Sequence, residues 1–193
     1  FTIYKYSDSL FQKSCKFLYM KNIKDRIGVL QDDITVLEVD AIVNAANTSL
    51  LGGGGVDGAI HEAAGPALLV ECRTLGGCPV GEAKITKGYL LPAKHIIHTV
   101  GPVWRDGEHG ETELLRNAYS NSLKLAKKHG IQTLAFPNIS TGVYRFPKRR
   151  AAKLAIETVR TFLEKNSTPK KVLFVCYDGE NYGIYQEILN ANL

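Results

Sequence analysis

The sequence predicts an α/β fold, a three-layer α-β-α sandwich around a mixed, largely parallel central sheet. Three observations lead to this prediction. Short apolar segments recur along the chain, and segments with helical periodicity alternate with them. Glycine, proline or polar residues separate most of the apolar segments from the helical ones. Strands that alternate with helices favour parallel pairing, with helices on both faces of the sheet.

Six segments have the composition of short buried strands. β-Branched and aromatic residues are frequent in them, and turn-forming residues bound most of them. In chain order they are Ile27–Gln31, Ala41–Ala45, Ala83–Tyr89, His95–Val100, Gln132–Pro137 and Lys171–Tyr177.

Four segments are predicted to be helices. Apolar and small residues recur at three- and four-residue spacing near 112–129 and near 148–164, which places them on one face of each helix. A third helix is predicted to start after the glycine tract and to run through Ile60, Ala63, Ala64 and Ala67, and a fourth near 181–190 closes the chain.

Length and composition indicate one globular domain. The 193 residues, 45% of them apolar and 22% charged, are ordinary for such a domain. Residues 1–25 do not follow the alternation of strands and helices, so we expect an N-terminal extension packed on a domain of residues 26–193. No apolar run approaches the roughly 20 residues of a membrane helix. We therefore expect no membrane contact. The four cysteines form no CxxC pair, and a domain of this size does not need disulfides, so we expect reduced thiols and a cytoplasmic location.

Residues 44–61 carry the strongest functional signal. They run from the end of a buried strand into an apolar helix, and four consecutive glycines lie between. Glycine exposes backbone N–H groups and permits positive φ, and such groups beside a helix N-terminus form an anion site. A phosphate-binding loop is therefore favoured over a mobile surface loop. The tract lies too far from its strand for a dinucleotide fingerprint and lacks the Lys-Ser/Thr of a P-loop.

Residues 137–147 form a second loop between a predicted strand and a predicted helix. Ser140 and Thr141 contribute hydroxyl groups, and Gly142 permits close approach of a ligand to the backbone. For each hydroxyl, hydrogen bonding within a local turn is the alternative. Ligands of open α/β sheets bind beyond the carboxyl ends of the strands, so the two loops together predict a site for a diphosphate.

Five segments resemble the signature sequences of MacroD-type macrodomains. They are Asp33–Thr35, Asn44–Asn47, Gly52–His61, His98–Trp104 and Ser140–Tyr144. The resemblance extends from about residue 27 to about residue 189 and implies a macrodomain fold with a pocket for ADP-ribose. The zinc-dependent variant of the family carries Cys and His in its first phosphate loop, where this chain has glycines. The resemblance therefore implies neither a metal nor a cofactor.

The resemblance implies ligand-binding roles for residues of several segments. Asp33 matches the carboxylate that accepts the adenine amino group, Ile34 matches a neighbouring backbone donor, and Tyr177 lies where an aromatic ring packs on the adenosine. An ionised carboxylate only accepts hydrogen bonds, which suits an exocyclic amine. The two phosphate loops match Gly52, Gly53, Gly54, Gly55 and Val56, and Ser140, Thr141, Gly142, Val143 and Tyr144.

The resemblance also implies which residues act at the distal ribose. Asn47 matches the asparagine that reaches this ribose, with Asn44 supporting it as a further ligand-binding residue, and Tyr144 matches the nearby aromatic residue. Asp57 matches the catalytic carboxylate. From the residues alone, Asp57 could instead cap the helix that follows the glycines, and Asn44 could form a turn at the strand end.

Three histidines are expected to be structural. His61 follows Asp57 on the same helix but matches no catalytic position of the family. His95 and His98 lie in or beside an apolar strand, where a core histidine is more common than a ligand.

Two positions depart from the family pattern. Asp32 precedes Asp33 where the family usually has glycine, and Arg145 stands where glycine is common. A second carboxylate at position 32 places a like charge beside Asp33 and could crowd the loop.

The implied function is hydrolysis of ester-linked ADP-ribose. Its substrates would be mono-ADP-ribosyl-Asp or -Glu on proteins and O-acetyl-ADP-ribose, and the released product would be ADP-ribose. The protein is expected to be a monomer. One alternative is a reader module that binds ADP-ribose without turnover, although Asn47, Asp57 and Tyr144 favour the enzyme. The other is a nucleotide or RNA binder that uses the basic residues 145–153 and the net charge of +5. Without interleaved aromatic residues, nucleic acid binding is not expected, and a solvated helix face explains the basic run.

Overall fold

The computed structural model of the protein describes residues 23–192 and arranges them as one layered α/β unit. The predicted N-terminal extension, residues 1–25, lies almost entirely outside the described residues, as does Cys15. A short helix, α1 (Ile23–Arg26), precedes the first strand. Arg26 donates hydrogen bonds to the carbonyl oxygens of Leu163 at 2.8 Å and Asn166 at 2.9 Å. These bonds satisfy carbonyl groups at the C-terminus of a long helix.

The central sheet confirms the predicted fold class. Its strands lie in the order β1-β6-β5-β2-β4-β3. Neighbouring strands pair in parallel except β3 and β4, which are antiparallel and lie at one edge of the sheet. The strands are β1 (Ile27–Gln31), β2 (Ala41–Ala46), β3 (Ala83–Lys87), β4 (His95–Val100), β5 (Thr133–Phe136) and β6 (Lys171–Cys176).

The predicted helix after the glycine tract is two helices, α2 (Gly55–Ala64) and α3 (Pro66–Thr74). The predicted continuation through residue 67 is therefore wrong. Gly65 has φ 79° and ψ 176°, so the backbone leaves the helical conformation there. Pro66 lacks the N–H that would continue α2 but is well suited to the first turn of α3.

Three further helices agree with the prediction to within two residues at each end. They are α4 (Glu111–Lys128), α5 (Lys148–Lys165) and α6 (Gly179–Asn192). A short 3₁₀ helix (Ile34–Val36) follows β1. No helix among residues 23–192 has the length and the apolar character needed to cross a membrane.

The sheet separates two apolar cores, which makes the fold a three-layer sandwich. Successive side chains of a strand point to opposite faces. Ala41 and Val43 therefore belong to the core that lies against α4, α5 and α6, whereas Ile42 and Ala46 belong to the core against α2 and α3. Three cysteines are free and buried, Cys72, Cys78 and Cys176.

Candidate functional site

A cavity of about 790 Å³ opens beyond the carboxyl ends of the parallel strands. This volume lies within the range of about 300–1,000 Å³ that is usual for sites of small molecules and cofactors. Both predicted phosphate loops and the segments after β1 and β6 contribute to its wall. The predicted site residues that line it are Asp33, Ile34, Asn47, Gly53, Gly54, Gly55, Val56, Asp57, Ser140, Thr141, Gly142, Val143, Tyr144 and Tyr177.

Asn44 and Gly52 are the two predicted ligand-binding residues that do not line the cavity. Asn44 is fully buried inside β2, so it does not form a strand-end turn either. Its Nδ2 donates a hydrogen bond of 2.7 Å to Asp57 Oδ1. The carbonyl oxygen of Gly52 accepts a hydrogen bond of 2.9 Å from Asn47 Nδ2. Both residues therefore support side chains that line the cavity.

Asn47 organises the first loop through both ends of its amide. Its Oδ1 accepts hydrogen bonds from the backbone N of Ser49 at 3.0 Å and from Ser49 Oγ at 2.6 Å. Its Nδ2 donates to the Gly52 carbonyl and lies 3.5 Å from Asp57 Oδ2. These contacts fix both ends of the Asn47 amide to the first loop.

The N-terminus of α2 presents free backbone amides to the cavity. Gly54 occupies the position before the first helical residue and supplies no side-chain hydrogen bond. A Cβ atom at Gly54 or Gly55 would meet nothing within 4 Å, and Gly55 has φ 61°. Backbone N–H groups at a helix N-terminus attract anions, so this loop is suited to a phosphate group.

Two glycines allow the first loop to lie close to α2. A Cβ atom at Gly58 would stand 2.6 Å from the carbonyl oxygen of Gly53, which no real Cβ tolerates. A Cβ at Gly53 would stand 3.0 Å from Asp57 Oδ2 and 3.1 Å from Asn47 Nδ2. Gly58 lies in the resembling segment Gly52–His61 but was not predicted as a site residue, and only the fold shows its role in the close approach.

Asp57 lies in the first turn of α2 with only 3% of its surface exposed. It does not cap the helix, so that alternative is wrong. Oδ1 accepts from Asn44 and lies 3.6 Å from His61 Nε2, whereas Oδ2 faces Asn47 and Gly53. Burial raises the pKa of Asp57, and the Asn44 hydrogen bond and the charge of His61 oppose that effect. One carboxylate oxygen is thus held by the protein and the other faces the first loop.

The second loop is closed by backbone hydrogen bonds. Phe146 N donates to Ser140 O and Arg145 N donates to Gly142 O, each at 2.9 Å. Thr141 Oγ1 donates to Asn138 O at 3.0 Å. This hydroxyl therefore forms the local turn hydrogen bond that was the alternative to ligand binding. Ser140 Oγ is buried and has no partner among the described residues. Ser140 lines the cavity, but this hydroxyl oxygen itself is buried.

Gly101 packs the end of β4 against the second loop. A Cβ atom there would stand 2.2 Å from Ser140 Oγ and 2.6 Å from Ile139 Cγ2. Gly101 lies in the resembling segment His98–Trp104, but no role was predicted for it. The close approach explains why only glycine fits at this position.

The segment after β1 forms the far end of the cavity. Asp33 caps the 3₁₀ helix, and its Oδ1 accepts hydrogen bonds from Thr35 N at 2.8 Å and Thr35 Oγ1 at 2.7 Å. Asp32 Oδ1 accepts from Asp33 N at 2.8 Å, so this extra carboxylate is bound within the turn. Tyr177, with 84% of its surface exposed, lines the same cavity.

Five polar residues that line the cavity were not predicted as site residues: Asp32, Asn138, Lys148, Asp178 and Asn181. Asp178 accepts hydrogen bonds from the backbone and side-chain nitrogens of Asn181 at 2.8 and 2.7 Å. Lys148, the first residue of α5, pairs with Glu180. Asp178 follows Tyr177 at a strand end, which was a usable signal, whereas Asn181 and Lys148 reach the cavity only through the packing of α5 on α6.

Most of the basic run is matched by partners on other elements. Arg149 pairs with Glu187 and Lys148 with Glu180, both on α6. The guanidinium group of Arg150 lies 4.9 Å from the centre of the Trp104 ring. These contacts favour the solvated helix face over a nucleic acid surface.

Within residues 23–192, two groups of side chains have the composition of metal ligands. In the first group, hydrogen bonds already engage both ring nitrogens of His98, one with Asn44 and the other with Thr86. In the second group, the Glu111 carboxylate accepts hydrogen bonds from the backbone N–H groups of Arg105 and His109. Neither group lines the cavity. The groups are His61, Cys72 and His98, and Asp106, His109 and Glu111.

Comparison with known proteins identifies relatives of the whole described domain. A Macro domain-containing protein of Methanosarcina mazei is 64% identical over 157 residues, which cover 81% of this chain and 84% of the relative. An O-acetyl-ADP-ribose deacetylase of Escherichia fergusonii is 58% identical over 171 residues, which cover 86% of this chain and 97% of the relative.

Solved structures agree with the sequence relatives. The Trypanosoma brucei macrodomain in complex with ADP-ribose superimposes with a TM-score of 0.80 and 44% sequence identity, and the match covers 85% of this chain and 69% of that one. The Macro domain family model matches residues 43–155, which include both phosphate loops and Asp57. The chain belongs to the Macro domain family.

Proposed function

We propose that the protein binds ADP-ribose in this cavity and hydrolyses ester bonds at the distal ribose. The substrates are O-acetyl-ADP-ribose and mono-ADP-ribosyl-Asp or -Glu on proteins. A relative named O-acetyl-ADP-ribose deacetylase and a structural neighbour in complex with ADP-ribose support this proposal. The observation that carries it is the buried Asp57 carboxylate, held through one oxygen at the end of a cavity that has two phosphate-type loops.

Asp57 is the general base of the proposed reaction. Its raised pKa makes it a stronger base than an exposed aspartate, because burial disfavours the charged form. It removes a proton from water, the water oxygen attacks the ester carbonyl, and the bond between acyl carbon and ribose oxygen breaks. The protonated Asp57 gives this proton to the leaving ribose oxygen, and the products are ADP-ribose and a carboxylic acid, which ionises in water. Such base catalysis contributes about 10²–10⁴-fold.

The two loops hold the diphosphate during this reaction. Amides at the start of α2 and around Gly142 bind phosphate oxygens, and Asn47 orients the distal ribose beside Asp57 Oδ2. Tyr144 closes the same end of the cavity. Most of the binding energy therefore comes from parts of the substrate that do not react.

The proposal predicts activity on ester linkages only. We expect release of free ADP-ribose from glutamate-modified protein and from O-acetyl-ADP-ribose, no release from arginine-modified protein, and full activity with EDTA present. The physical reason is that a water molecule activated by a general base can attack an ester carbonyl without further activation. Chromatography of released ADP-ribose measures the outcome. Binding without release would establish a reader module instead, and loss of activity with EDTA would exclude this mechanism.

Asp33 is predicted to contribute to binding through its charge. We expect Asp33→Ala to weaken ADP-ribose binding by about 1.5–3 kcal/mol, the usual value of a hydrogen bond to a charged group. Asp33→Asn is the matched control, because its amide oxygen can still accept from Thr35 and keep the 3₁₀ turn. Calorimetry should show weak binding for both variants. If only the alanine variant binds weakly, Asp33 acts by shaping the loop.

A further inference from the structure

A buried row of polar side chains runs from the edge of the sheet to Asp57. Asn44 and His98 stand directly opposite each other on the parallel strands β2 and β4. Thr86 lies on β3, on the other side of His98. All three are at most 3% exposed, and none of them lines the cavity. A buried polar row of this kind requires a reason, because burial of polar groups costs stability unless every group is paired.

Donor and acceptor roles along this row are determined from its outer end. Thr86 Oγ1 donates to the Lys87 carbonyl at 3.2 Å, so it accepts from His98 Nε2 at 2.9 Å. This direction assigns the His98 proton to Nε2 and makes Nδ1 an acceptor. Asn44 Nδ2 lies 3.1 Å from that Nδ1 and 2.7 Å from Asp57 Oδ1, so its two protons go to these two acceptors.

The orientation of the Asn44 amide depends on this arrangement. Asn44 Oδ1 is buried without a partner among residues 23–192. A flipped amide would direct Oδ1 at both His98 Nδ1 and the Asp57 carboxylate, where acceptor would face acceptor. Two acceptors on one side of the amide therefore keep its NH₂ group towards Asp57. The geometry points to the pair Thr86–His98 as positioning residues that keep the Asn44 amide directed at Asp57, and this inference rests on the catalytic role proposed for Asp57.

The surrounding titratable groups permit this role. Burial lowers the pKa of His98 to about 3, and His61 adds to the effect, so the ring is neutral at neutral pH. From α3, Cys72 places its Sγ 3.9 Å from His98 Nε2, and burial raises the pKa of this thiol to about 11. From α2, His61 Nε2 lies 3.6 Å from Asp57 Oδ1. His61 is the titratable neighbour that directly faces the carboxylate.

The test separates the Thr86 hydroxyl from the size of its side chain. Thr86→Val keeps the shape of the side chain and removes the oxygen. Thr86→Ser and Thr86→Ala both lose the methyl group, but only Thr86→Ser keeps the oxygen. Without the oxygen, His98 is expected to move its proton to Nδ1, the amide flips, and Asp57 loses its donor. Loss of this donor raises the pKa of Asp57.

Nuclear magnetic resonance reads both steps in the free protein. ¹⁵N spectra of labelled histidine report the His98 tautomer, and ¹³C spectra of the carboxyl group report the titration of Asp57. We expect Nε2–H in the parent and in Thr86→Ser, and Nδ1–H in Thr86→Val and Thr86→Ala. In Thr86→Val and Thr86→Ala, the midpoint of the Asp57 titration should shift to higher pH by at least about one pH unit. An Nδ1–H tautomer in the parent, or parent-like Asp57 titration in both variants, would overturn the inference.

Activity provides an independent readout. The acidic limb of the pH profile for ADP-ribose release should shift up with the Asp57 titration in Thr86→Val and stay in place in Thr86→Ser. Affinity for ADP-ribose should stay within about twofold, because the row does not touch the cavity. An inactive parent that shows the expected spectra would reject the proposed hydrolysis and support the positioning role. An active parent with unchanged titration in the variants would do the reverse.

Discussion

Asp57→Ala is expected to reduce release of ADP-ribose by about 10²–10⁴-fold while changing ADP-ribose affinity by less than about tenfold. A general base acts chiefly in the transition state, so its removal affects turnover more than binding. Oδ2 faces Asn47 and the first loop, and the fully buried Asn44 holds Oδ1, so no other described carboxylate occupies this position. Single-turnover rates and calorimetry with ADP-ribose measure the two quantities.

Asp57→Asn is the matched control for stability. In Asp57→Ala the buried Asn44 amide loses an acceptor, which costs about 1–3 kcal/mol. The asparagine variant keeps an oxygen for that amide. Because burial raises the pKa of Asp57, the ionised form lowers stability above the unfolded-state pKa, and removing the charge relieves that cost. We therefore expect Asp57→Asn to be as inactive as Asp57→Ala but to melt no lower than the parent. Equal turnover by the asparagine variant and the parent would exclude Asp57 as the base.

Gly142→Glu is expected to weaken ADP-ribose binding by about a thousandfold. The side chain would bring a negative charge to the second loop, where we place the diphosphate. Like charges about 4 Å apart at an effective dielectric constant near 20 repel by roughly 4 kcal/mol. A Cβ atom at Gly142 would meet nothing within 4 Å, and its φ lies outside the range that disfavours side chains. The fold should therefore tolerate the substitution.

The control for Gly142→Glu varies charge at constant size. Gly142→Gln adds nearly the same bulk without the charge, and Gly142→Ala tests the backbone alone. Melting without ligand should be close to that of the parent for all three, and the melting shift with ADP-ribose should be lost only in the glutamate variant. If the glutamine variant also loses the shift, bulk is the cause. A full shift in the glutamate variant would place the diphosphate elsewhere.

Local pattern predicted the fold, and the family resemblance implied most of the residues that line the cavity. Strands such as Ile27–Gln31 and His95–Val100 were predicted to the residue, since alternation and turn residues are local signals. The position of a loop after a parallel strand is also readable, because topology brings such loops to one edge of the sheet. The loops around Gly54 and Gly142 could therefore be assigned to one site from sequence and resemblance together.

Only the tertiary structure decided what the buried polar groups do. Asn44 and His98 are 54 positions apart in the chain, and parallel pairing of β2 and β4 makes them neighbours. Their contact converts Asn44 from a predicted ligand contact into the support of Asp57. The break at Gly65 and the need for glycine at Gly101 likewise depend on backbone angles and distances across the fold. The sequence by itself determined which residue types and which strand ends meet at the cavity. Orientation, burial and hydrogen-bond direction depend on long-range contacts, so the structure alone decided them.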